Sequence, residues 1–135
     1  MIQKTRVLWS PRATSERGSS AVEFALVFPV LIMVLFGIID FGRLEFERIN
    51  VTAAAYEGAR ASGYKLGNTA ITNAVNAAAG GLTVSVTGST NLNCATAGAE
   101  TTVTVARPSR FQFYTPFLQT LNITVSSTGA FRCLG

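Results

Sequence analysis

The sequence has no histidine and only two cysteines, Cys94 and Cys133. It has seven acidic residues, and after Glu57 only Glu100 remains. These gaps remove most catalytic chemistry. No cluster of His, Cys and carboxylate could hold a metal, no paired acids serve proton transfer, and no base stands ready for a nucleophilic Ser or Cys. Gly80-Gly81 lacks the Lys-Ser/Thr that completes a phosphate loop. The sequence therefore reads as that of a protein that is not an enzyme, with no catalytic residue, metal or cofactor.

Charge is also scarce, at 13% of residues, while 48% are hydrophobic. The 135 residues allow one domain plus its ends, and this much apolar content points to a membrane segment. The net charge of +4 would suit a nucleic-acid partner, but its distribution does not. Lys4, Arg6, Arg12 and Arg17 all precede Gly18, and beyond it seven basic residues face six acidic ones without forming a stripe. Nucleic acid is thereby excluded as a partner.

What the sequence does have is RGSSAVEFALVFPVLIMVLFGIIDFGR, Arg17 to Arg43. No charge interrupts Phe24 to Ile39, and the run is bounded by Glu23 and Asp40. Residues 21–39 would make about 28 Å of helix, close to the roughly 30 Å of a bilayer's hydrocarbon. Basic residues precede this span, whereas residues 40–65 hold four acids and four bases. The positive-inside rule then puts the N-terminus in the cytoplasm and exports the remainder.

Three readings compete for this run. A cleaved secretory signal would end in a small-x-small site, and Phe-Gly-Ile-Ile-Asp-Phe-Gly offers none. A plain uncleaved anchor explains the hydropathy but leaves Glu23 an accident, although an acid within a span is a functional suspect. The third reading uses the basic leader, Gly18, and an acid five residues after it. This arrangement resembles a class III prepilin signal, which a prepilin peptidase cuts on the cytoplasmic side of the membrane. A cut between Gly18 and Ser19 would leave the apolar helix in place and create an α-ammonium with pKa near 8. Glu23 could pair with such an ammonium on a neighbouring subunit, so that only the correct stagger neutralises it.

Together with NVTAAAYEGARASG, Asn50 to Gly63, the segment resembles the TadE-like minor pilins (pseudopilins) of the Tad, or Flp, tight-adherence pilus. The major Flp pilins are shorter and carry Glu-Tyr where this chain has Glu23-Phe24. The resemblance is strong over residues 17–63 and loose beyond.

The helix is expected to continue past Asp40, over residues 19–62 and about 65 Å, because 40–62 contains no proline. Phe46, Ile49, Ala53 and Tyr56 recur at helical spacing and are expected to face the core of the exported body. Glu45–Arg48 and Glu57–Arg60 lie within side-chain reach. Pro29 removes one ladder bond and permits a bend. Gly37, Gly42 and Gly58 would admit close helix approach.

Gly63 and Gly67 mark a break, and a short helix is expected over 70–79. Period-two alternation predicts strands over 82–87, 101–106 and 121–126, with a fourth over 129–133. Their Thr and Ser content implies an antiparallel sheet with one wet face and one face on the helix. Residues 63–135 are too few for a lone core and need the helix and a staple. In an exported domain, a Cys94–Cys133 disulfide would provide that staple. Residues 89–99 and 108–117, the latter with Phe111, Phe113, Tyr114 and Phe117, are contact surfaces or core.

The sequence thus predicts an α+β fold in three parts: a cleaved leader (1–18), a membrane-spanning helical spine (19–62) and an exported pilin-like domain (63–135). The resemblance implies a structural role in pilus assembly and surface adherence at the cytoplasmic membrane, with incorporation into the extracellular pilus. The implied partners are a prepilin peptidase, the membrane assembly platform, other pseudopilins and the major pilin. The alternative is an uncleaved single-pass protein whose exported β-rich domain binds a ligand or surface.

Overall fold

The computed structural model describes residues 16–92, 94–115, 119 and 121–134, without the side chains of Glu16 and Arg17. Most of the leader and Phe117 lie outside the described residues. The chain divides into two compact units between Leu35 and Phe36. The described part of the first is helix alone. The second holds everything else.

One helix, α1, runs from Glu16 to Gly63 and passes through Pro29. Across the span nearly every side chain is exposed, Val22, Leu26, Val30, Val34 and Ile38 among them. A helix apolar on all sides has no face that prefers a core. It is long and apolar enough to cross a membrane.

The helix ends in a Schellman motif. Leu66 N–H donates to the Ala61 carbonyl (3.3 Å) and Lys65 N–H to that of Ser62 (2.9 Å), with Lys65 at φ 58°. A lysine thus takes the left-handed position that the neighbouring glycines lead one to expect at Gly63 or Gly67. The second helix, α2, spans Asn68–Ala78 and buries Ile71 and Val75.

Three strands form an antiparallel sheet in the order β1 (Ser85–Thr90), β2 (Glu100–Ala106), β3 (Ser126–Arg132). On β2, Thr101, Val103 and Val105 point into the core, while Thr102 and Thr104 face outward. On the outer face, the hydroxyls of Thr90 and Thr102 (2.6 Å) and of Thr104 and Thr128 (2.8 Å) hydrogen-bond across the strands.

The structure differs from the sequence expectations in the strands and in the buried face of α1. The fourth strand is absent among the described residues: 121–125 is irregular and a single strand covers 126–132. The cause lies opposite. Arg107 N–H donates to the Val125 carbonyl (2.9 Å) and Phe111 N–H to that of Ile123 (3.0 Å). Between those bonds the partner chain carries Pro108, which has no N–H for a ladder. The alternation at 121–126 is real, but it has no regular strand to pair with. The first strand is shifted to 85–90, because Leu82 and Val84 pack against the core before pairing begins.

The second difference concerns the buried face of α1. Phe46, Ile49 and Tyr56 are 61%, 65% and 50% exposed, and Ala53 is exposed too. The core stripe is instead Val51, Ala54, Ala55, Gly58 and Ala59, packed on Val75, Val103 and Val105. Close approach explains the choice. A Cβ built on Gly129 of β3 would stand 2.3 Å from the Ala55 carbonyl oxygen, and one on Gly58 would stand 2.6 Å from a Val75 methyl. Backbone lies against backbone here, so only small residues fit, and the bulky ones fall outside.

Candidate functional site

The residues that the sequence singles out for processing and assembly lie in the first unit. Gly18 and Ser19 are in the first turns of α1 and exposed, with no heavy atom within 4 Å of where a Gly18 Cβ would stand. Glu23 lies one turn beyond Ser19 and is also exposed. Helical side chains lean toward the N-terminus, so the Glu23 carboxylate leans toward the backbone of Ser19. Among the described residues Glu23 has no ion-pair partner.

A second group of residues sits where the apolar run ends. Asp40 is buried, at 1% exposure. Its Oδ1 accepts from the Tyr114 N–H (2.9 Å), and its Oδ2 from the Thr115 N–H (2.8 Å) and hydroxyl (2.6 Å). Residues 111–115 form neither helix nor strand, so these N–H groups have no ladder partner, and the carboxylate replaces one. Arg43, one turn on, lies 3.7 Å from Asp40 and donates to the Gln112 carbonyl (3.4 Å). Its guanidinium sits 4.3 Å from the centre of the Tyr114 ring and 5.3 Å from that of Phe111. Burial pushes the Asp40 carboxyl up. The Thr115 hydroxyl, the Tyr114 and Thr115 N–H groups and Arg43 outweigh that and hold it below its usual 3.8.

A third tie links the half-buried Arg107 to the buried Glu47 by a hydrogen-bonded ion pair. Cys94 and Cys133 are joined as a disulfide, both buried, with Cα atoms 5.4 Å apart. At the end of α1, Thr101 Oγ1 gives its one proton to the Thr90 carbonyl (3.1 Å), so the Ser62 hydroxyl must donate to Thr101 (2.8 Å).

Sequence reasoning brought out Gly18, Ser19, Glu23 and the two cysteines. It treated Asp40 only as the border of the apolar run and passed over Arg43, Thr115 and the Glu47–Arg107 pair. A charge at a span boundary was the one available signal. Its partner is 75 residues away, and spacing alone does not disclose that.

Against known protein families, residues 18–60 match the model of TadE-like proteins. This segment is TadE-like. The match begins at Gly18, includes Glu23 and Asp40, and ends at Arg60, inside α1. Comparison with curated proteins and with solved structures returns no match.

Proposed function

We propose that this TadE-like chain is a minor pilin (pseudopilin), a structural component in the assembly of a Tad-type pilus used in surface adherence. The observation that carries the reading is the placement of Gly18 and Glu23 just ahead of the charge-free run of the helix, inside the matched segment. A prepilin peptidase cutting after Gly18 would leave Ser19 as the N-terminus of an already formed helix. A bare ammonium there opposes the helix dipole, and an acid one turn in relieves that opposition. In a filament the same carboxylate pairs with the ammonium of a neighbouring subunit and sets the axial stagger.

The proposed topology is single-pass, with the leader in the cytoplasm and residues 63–135 exported. The proposed partners are the peptidase, the membrane assembly platform, other pseudopilins and the major pilin. The role is structural and not catalytic. The test is N-terminal sequencing after co-expression with a cognate prepilin peptidase. The chain should begin at Ser19, and Gly18→Leu should block the cut. An intact Met1 terminus in piliated cells would overturn the reading.

A further inference from the structure

Asp40 is the first residue beyond the span, and it holds the backbone of Tyr114 and Thr115. This fixes the height of a distant segment relative to the membrane. Residues 111–115 descend along α1: Gln112 bonds at the level of Arg43, and Thr115 one turn lower at Asp40. The polar zone on each side of a bilayer's hydrocarbon is about 5–7 Å thick. At 1.5 Å per residue that zone covers roughly residues 40 to 44 of an upright helix. The Tyr114 ring is 61% exposed at this level, and the Arg43 side chain stacked on it is 39% exposed. Of the nearby acids, Asp40 and Glu47 are buried and occupied by Thr115 and Arg107, and the part-exposed Glu45 is paired with Arg48, so the outward charge of this end comes from Arg43 and the exposed Arg110.

We infer that the Arg43–Tyr114 stack is a lipid anchor, seated among the phospholipid headgroups of the leaflet from which the span emerges. An aromatic ring with a polar tip is the side chain favoured at that depth. A guanidinium has five donors, and among the described residues only one nitrogen of Arg43 is engaged, by Gln112 and Asp40, which leaves donors for lipid phosphate. Asp40 is then a positioning residue. It holds the backbone of residues 114–115, and with it the Tyr114 ring, at the level of α1 where the apolar run ends.

This rests on the reading of residues 21–39 as a span, and the test separates the two. Trp9 is the single tryptophan. On a Trp9→Phe background, Tyr114→Trp is placed in phosphatidylethanolamine–phosphatidylglycerol vesicles carrying a shallow nitroxide label. Its emission should shift to the blue on insertion and be quenched by that label. Tyr64→Trp, about 36 Å further along α1, should show neither effect. Gln112→Trp, exposed and bonded to Arg43 through its backbone, is a second probe at the upper level and should also be quenched. Emission and quenching of both probes equal to those of Tyr64→Trp, in protein that stays with the vesicles through a carbonate wash, would overturn the anchor alone. Release by that wash would sink the span, and the anchor with it.

Discussion

Taking a carboxylate out of water costs several kcal/mol unless its oxygens are occupied. At Asp40 three donors and a cation occupy them, so the residue stabilises the fold while it is ionised. Because its folded pKa is lowered, that contribution is complete above the unfolded value near 3.9 and disappears as pH falls through the folded one. Asp40→Asn, which weakens the tie to residues 114–115, should cost about 1.5–3 kcal/mol near neutral pH. By thermal melts, the gap between the two proteins should hold steady down to about pH 5 and narrow below pH 4. A gap unchanged at pH 2 would mean that the charge contributes nothing. Glu23 makes a different prediction, because the partner proposed for it lies in another subunit. Glu23→Ala should still enter the membrane and still be cut, yet fail in assembly. Losing one partner of a buried pair costs about 3–5 kcal/mol, and at about 1.4 kcal/mol per tenfold that is more than a hundredfold in an assembly equilibrium. Normal yields of sheared pili from this variant would make Glu23 a passenger.

The helix meets the sheet through small residues, and its stability should answer to volume there. Gly129→Val would drive a side chain into the Ala55–Tyr56 peptide, which cannot move aside, and should lower stability by at least about 1–3 kcal/mol in denaturant melts. Ile49→Ala, on the exposed face, should change the isolated protein by less than about 0.5 kcal/mol. Reversal of that order would restore the face first read as core. The sequence showed the existence and extent of α1, because length, hydropathy and the absence of proline over residues 40–62 are local properties. It also showed the inward alternation of β2 and the pairing of the two cysteines. It did not show which face of α1 is buried. Periodicity finds the apolar stripe, but choosing between a bulky stripe and a small one depends on how near the sheet comes, and Gly129 decides that from 74 residues away. The missing fourth strand has a similar origin, since a strand needs a partner with N–H groups and Pro108 is not one. The clasp at Asp40 was illegible for want of any local mark on Thr115.

In the whole molecule, the body beyond α1 is held to that helix by the core and by the Asp40 and Glu47 ties, and it is stapled within itself by a disulfide that closes 39 residues of sequence separation. Replacing both cysteines with serine should cost roughly 4 kcal/mol in the chain-entropy model, seen as a lower melting temperature of the purified protein. A loss of less than about 1 kcal/mol would assign the bond no stabilising role. Topology is tested directly: a reporter that works only in the periplasm should be active after Gly135 and silent within residues 1–17. The opposite pattern would invert the proposed orientation. The order of the chain then bears on how the domain comes to be folded at all. β3 lays Gly129 on Ala55, Leu134 N–H donates to the Gly63 carbonyl (3.2 Å), and Cys133 completes the disulfide. In the proposed topology, the segment that fastens the sheet to the helix therefore emerges from a translocation channel only after the residues it fastens. Until it does, the alanine stripe of α1 is uncovered and Cys94 has no mate. In that topology the sheet would not lock onto the helix halfway across, so the polypeptide would stay threadable until β3 had passed.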